Sequence, residues 1–175
     1  MPVIPYKEHQ PQLDQSVFVA PNAWVTGRVT IGADSSLLFG ASLRGDIQRI
    51  VIGNGTNVQD NAVIHTSRGL NDCIVGDEVT IGHGAVLHGC IVKNRCIIGM
   101  GTIILDDAEI ADDCIVGANS LVTMRCKIPS GVLAVGSPAK VIRDLKPAEL
   151  KELRDSAESY RQVTRNYQKQ LGRGW

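Results

Sequence analysis

Three of the four histidines in this 175-residue chain, His65, His83 and His88, lie near enough in sequence to act together. Three neutral imidazoles with a fourth position left open form the ligand set of catalytic zinc, whereas structural zinc is closed by four protein ligands. The alternative is three polar side chains on a subunit surface. Nearby stand residues able to support such a centre: Arg44 and Asp46, and the pair Gln59–Asp60 just before His65. His9 sits in a Pro/Gln-rich lead-in and is assigned no role.

Whether these side chains meet depends on the elements that carry them. From Val19 an aliphatic residue recurs every six positions: Val19, Val25, Ile31, Leu37 and Leu43. After three extra residues the series resumes at Ile52, Val58 and Ile64, and after five more at Val75, Ile81 and Leu87. One residue is then dropped before Val92, Ile98, Ile104, Ile110, Val116, Val122 and Ile128. Eighteen hexapeptides, all keyed by Leu, Ile or Val, predict an all-β solenoid: a parallel β-helix of about six triangular coils. Each aliphatic side chain then points inward and stacks on its equivalent about 4.8 Å away. Such a narrow interior has no room for rings. Only seven Phe, Tyr and Trp residues occur, and none lies between Phe39 and Tyr160.

The register now places the candidates. His65 follows Ile64 and His88 follows Leu87, so they share a slot three repeats apart and stack one coil above the other. Arg44 follows Leu43 and extends this row downward. His83 follows Ile81 by two and belongs to another face, in the slot that Asp60 holds one coil earlier. One subunit therefore brings His65 and His88 together but not His83. Like coils packed face against corner around a threefold axis would supply His83 from a neighbour, giving three equivalent sites. The same contact carries Gln59 and Asp60 towards Arg44. An Arg44–Asp60 ion pair across subunits, a Gln59 hydrogen bond to the ion's ligand, and an Asp46 that orients Arg44 are expected. The alternative for Arg44, Asp46 and Asp60 is a purely structural trimer network.

Beyond Ile128 the pattern dissolves through Pro129-Ser130-Gly131 and Gly136-Ser137-Pro138. Pro147 opens a helix with apolar residues at Leu150, Leu153, Ala157, Tyr160, Val163, Tyr167 and Leu171, steps that make an amphipathic face. We therefore expect a β-helix domain over residues 1–146 with a short lead-in, and a helix over 147–175 lying along the outside of the solenoid. Phe39, in the slot of His83 two coils earlier, is expected to face outward at the subunit interface. Cys96, Cys114 and Cys126 obey the repeat and read as small buried hydrophobes.

Other classes fall quickly. Lys+Arg and Asp+Glu balance at 18 each without a long run of one sign, which leaves out the electrostatic footprint of nucleic-acid binding. No apolar run is long enough to span a bilayer. The start, Met1-Pro2-Val3-Ile4-Pro5, lacks the basic and apolar regions of a secretory signal, so a cytoplasmic protein is expected.

The strings Leu43-Arg44-Gly45-Asp46, Asn57-Val58-Gln59-Asp60-Asn61-Ala62-Val63-Ile64-His65 and Ile81-Gly82-His83-Gly84-Ala85-Val86-Leu87-His88-Gly89-Cys90 resemble the gamma-class carbonic anhydrase family. The likeness covers nearly the whole chain, including Gly136-Ser137-Pro138-Ala139-Lys140 and the terminal helix. It implies left-handed coils, a homotrimer and a metal at each interface, held by His65 and His88 of one subunit and His83 of the next. It places Arg44, Asp46, Gln59 and Asp60 around that centre and lets Tyr160 reach it. It also implies reversible hydration of carbon dioxide to bicarbonate, with Zn2+ as cofactor and Fe2+ or Co2+ as alternatives that imidazole also suits. The prototype has an acidic loop whose glutamate shuttles protons. The insertion here, Thr66-Ser67-Arg68-Gly69-Leu70-Asn71-Asp72, carries only Asp72 as an acid, so fast turnover is not expected, and the resemblance is closer to the shorter bacterial branch, some of whose members lack hydratase activity. Two other readings compete: a hexapeptide acyltransferase or thioesterase acting on acyl-coenzyme A, and a non-catalytic metal-binding scaffold.

Overall fold

The computed structural model describes residues 3–172; Met1, Pro2 and the last three residues, which the lead-in and helix expectations include, lie outside it. The chain winds into a left-handed parallel β-solenoid of about 7 turns, one more than the six expected. The additional turn comes from both ends. Val3–Ile4 and Gln12–Leu13 pair in parallel with the strand Trp24–Ile31. Their hexad spacing is hidden by a small excursion, Tyr6 to His9, closed by reciprocal backbone hydrogen bonds and by Lys7 at φ 52. At the other end Ala134 stacks on Val116, and only then does Val132–Gly136 turn back antiparallel to Ala139–Asp144.

The register is the one the hexads dictate. One face stacks Val25, Leu43, Ile64, Leu87, Ile104 and Val122. The second stacks Leu13, Ile31, Ile52, Val75, Val92, Ile110 and Ile128. The third stacks Val19, Leu37, Val58, Ile81, Ile98, Val116 and Ala134. All eighteen keyed positions are buried. Cys73, Cys90, Cys96 and Cys114 are buried and free, and Cys126 is half-buried, so the cysteines act as core filler.

Helix α1 (Pro147–Leu171) lies on its own solenoid, against the strands Asn57–Val58 and Thr80–Ile81. Glu149 fastens its start by accepting the Lys146 N–H at 2.8 Å and gripping Arg143 through both oxygens. Those partners, Arg143 first, hold the Glu149 carboxyl down at about 2. The buried stripe is narrower than the apolar pattern suggests. Leu153, Ala157 and Thr164 are buried and Tyr160 and Tyr167 pack on the core, while Leu150, Val163 and Leu171 are exposed. Phe39 does not stand free on the outer surface, because Tyr167 covers it edge-on at 5.2 Å and also stacks on Phe18. No helix among the described residues is long and apolar enough to cross a membrane.

Candidate metal centre

Each strand that carries a candidate ligand is only two or three residues long, so alternation decides what it exposes. In Val63–His65 the middle residue points into the coil and His65 points out; Val86–His88 repeats this one coil above. Parallel pairing sets His88 directly on His65. Their rings lie 5.2 Å apart, and His65 Nδ1 faces His88 Nε2 at 3.1 Å. The outer nitrogen of each ring meets a carboxylate. His65 Nε2 is 2.9 Å from Asp46 Oδ1, and His88 Nδ1 is 3.0 Å from both oxygens of Asp106.

This donor set suits a zinc-like ion. Two nitrogens bound to one tetrahedral ion at its usual bond lengths sit about 3.3 Å apart, close to the observed 3.1 Å. Ligating histidines characteristically give their other N–H to a carboxylate, which fixes the ring and its tautomer. A hydrogen on each outer nitrogen satisfies both carboxylate contacts and leaves His65 Nδ1 and His88 Nε2 as the lone-pair nitrogens that face each other, which is what an ion between them needs.

Asp46 ties the row together. It accepts from Arg44 through Oδ2 while its other oxygen meets His65, so it orients both. Burial works to raise the Asp46 carboxyl, but the His65 and Arg44 hydrogen bonds outweigh it and hold it below the ordinary range. Within one chain Arg44 thus pairs with Asp46, and its side chain remains 53% exposed.

His83 stands in the corner at the other end of this face, five residues before His88. Its Nδ1 lies 2.8 Å from Asp60 Oδ2, one coil below, which leaves Nε2 outward on a side chain 45% exposed. Every one of the three imidazoles is therefore backed by an aspartate. Gln59 is buried beside Asp60, and its Nε2 donates to Asn57 Oδ1 at 3.2 Å. Asn57 in turn donates to Thr80 Oγ1, which meets Ser156 of α1. Tyr160, on the next turn of the helix, is half-buried; burial raises its hydroxyl above the usual phenol value and the Asp60 charge adds to this. The structure thus makes two groups, Arg44–Asp46–His65–His88 and Gln59–Asp60–His83–Tyr160. Among the described residues of one chain, no three His, Cys, Asp or Glu side chains gather to hold an ion.

The sequence reading missed Asp106. It lies 18 residues after His88, a whole coil by hexad count, but the residue dropped after Leu87 puts Leu105 in the histidine slot and Asp106 one step past it. The short insertion is also tied down. Thr66 accepts the Gln48 N–H, Gln48 Nε2 donates to Leu70 O, and Asp72 is held by Arg49 at 2.7 Å.

The chain is similar to known proteins in sequence and in fold. The family described as bacterial transferase hexapeptide (six repeats) matches residues 89–123. The chain is 41% identical to mitochondrial gamma carbonic anhydrase 2 of Arabidopsis thaliana over 87% of its own length, and spans 57% of that protein. It is 42% identical to a carbonic anhydrase of Geobacillus kaustophilus, covering 86% of this chain and 82% of that one. Among solved structures, a putative acetyltransferase of Bacillus cereus, the product of gene BC4754, superposes with a TM-score of 0.95 at 40% identity, covering 97% of this chain and 98% of that one. A hexapeptide transferase family protein of Anaplasma phagocytophilum gives 0.91, also at 40%, over 94% and 97%. Matched over most of its length to relatives of this kind, the chain belongs to the gamma carbonic anhydrase family.

Proposed function

We propose that this protein is a metal-dependent carbonic anhydrase that interconverts carbon dioxide and bicarbonate, working as a homotrimer with one site at each subunit interface. His65 and His88 of one subunit and His83 of a neighbour would hold the ion, zinc before iron or cobalt. The observation that carries this reading is the 3.1 Å approach of His65 Nδ1 to His88 Nε2, with each ring backed by an aspartate. The outer surface of the same face supports the assembly. Val63, Val86, Ile103 and Leu121 follow one another in one register column between the His83 corner and the His65–His88 corner, Val63 and Ile103 exposed and the other two half-exposed, and below them the column passes through Ser42 to the exposed Trp24. A run of apolar side chains this long on a surface marks an interaction site.

Held by His65 and His88 of one subunit and His83 of a neighbour, zinc would supply a nucleophile from water at neutral pH. The chain's own groups do the rest. Asp46, Asp60 and Asp106 keep the three rings oriented and their free nitrogens available. Arg44 would meet Asp60 of the neighbour and lock the interface. Gln59 and Tyr160, next to Asp60, would offer hydrogen-bond donors to the substrate oxygens. The raised Tyr160 hydroxyl stays protonated in working conditions and can donate. An acyl-coenzyme A transferase needs one imidazole base, and such a role leaves the His65–His88 contact without a purpose.

Stopped-flow hydration of carbon dioxide by zinc-loaded protein, beside metal analysis, tests this reading. Close to one ion per chain and hydration well above the blank are expected. A loaded trimer that hydrates no faster than buffer, or metal-stripped protein that hydrates equally fast, overturns it.

A further inference from the structure

The geometry points to Asp106 as the positioning residue for His88, with Gly89 as the residue that lets it approach; this rests on the metal reading above. Asp106 is nearly buried, its side chain 13% exposed, and both of its oxygens lie 3.0 Å from His88 Nδ1. The backbone brings it there. The Asp107 N–H donates to Gly89 O at 2.8 Å, and the Arg125 N–H donates to Asp106 O at 3.2 Å, so the corner carrying Asp106 is pinned from below and above. Gly89 adopts φ +53, and a Cβ at that position would collide with Asp106 Oδ1. Any side chain at residue 89 therefore competes with the carboxylate for the space beside His88.

The consequence is chemical. A carboxylate accepting from Nδ1–H puts the imidazole proton on that nitrogen and leaves the Nε2 lone pair directed at His65 and at an ion between them. Without Asp106 nothing holds the proton at Nδ1, and the ring is free to turn or to present Nε2–H, which cannot ligate. Asp46 does for His65 what Asp106 does for His88, but Asp46 also serves Arg44. Asp106 is thus the cleaner test of ring positioning.

The experiment compares wild type with Asp106→Ala. Zinc affinity is measured by competition with a chelator, the metal-free melting temperature is recorded, and the protonated nitrogen of His88 is read in metal-free protein by nitrogen-15 NMR. We expect the zinc Kd to rise about 10- to 100-fold in the variant, with the metal-free melting temperature little changed. Wild-type His88 should carry its proton on Nδ1, and the variant should lose that preference. Gly89→Ala, which displaces the carboxylate without removing it, should also weaken zinc binding. If wild type binds zinc and Asp106→Ala binds it equally well, Asp106 has no positioning role although the metal site stands. Wild-type His88 protonated at Nε2 overturns the role as well, even if the variant fails to fold. A wild type that binds no zinc overturns the metal reading and the role of Asp106 together.

Discussion

His65 Nδ1 and His88 Nε2 face each other at 3.1 Å across neighbouring coils, and the contact closes a chain running Asp46–His65–His88–Asp106. With each outer nitrogen turned to its aspartate, the two facing nitrogens are left to hold one ion between the rings. His88→Ala should therefore weaken zinc binding about tenfold or more in competition with a chelator, and unchanged affinity would contradict an ion shared by the two rings.

The apolar column supplies a second expectation. Ile103 is 40% exposed in the single chain, yet its neighbour Ile104 in the core is fully covered, so Ile103→Glu should leave the solenoid folded. A charge placed in a packed apolar interface costs several kcal/mol when unpaired. The variant should sediment as a monomer and lose zinc with its neighbour, while circular dichroism stays that of wild type. A trimeric variant would mean that this column is not the interface.

Tyr160 provides a pH signature. Its hydroxyl is raised by burial first and by the charge of Asp60 second. A group whose folded pKa lies above its unfolded value contributes stability that is complete below the unfolded value, near 10 for a phenol, and is lost as pH rises through the folded one. Phenolate absorbance should therefore place Tyr160 above an ordinary tyrosine. Asp60→Asn should bring it part of the way down and no further, because the burial remains.

On the carbonic anhydrase reading, proton export should be the weak step. Asp72, the one acid in the insertion, is engaged by Arg49 through its side chain and its backbone N–H. Thr66 and Leu70 are tied to Gln48. No free carboxylate stands on this segment to carry protons, so hydration by the loaded enzyme should accelerate as imidazole buffer is added at constant pH and ionic strength. A rate independent of buffer concentration would show that another residue already does the carrying.

Much of this was readable from residue spacing because a β-solenoid is close to one-dimensional: each coil touches only its neighbours. Counting from Ile64 and Leu87 put His65 under His88, and counting from Val58 and Ile81 put Asp60 under His83. The reading failed where the count is interrupted. Residues 5–10 make an excursion that separates Val3 from its partner Val25, so the first turn was not visible. The residue lost after Leu87 shifted Asp106 off the histidine row and concealed it. On the helix, packing chose Thr164 over the more hydrophobic Val163 because position on the stripe, set by Ala157 and Tyr160, outweighs the side chain's own preference.

The division of the ligands between subunits is the claim on which everything else depends. Mixing two variants tests it: His83→Ala, which keeps the His65–His88 pair, and His65→Ala/His88→Ala, which keeps only His83. Each alone should bind no zinc tightly and hydrate no carbon dioxide. Refolded together in equal amounts, they should recover about a quarter of wild-type zinc and activity, since about three in four random trimers are mixed and each mixed trimer rebuilds one interface of three. No recovery in the mixture, or full zinc in His83→Ala by itself, would contradict a site shared between subunits.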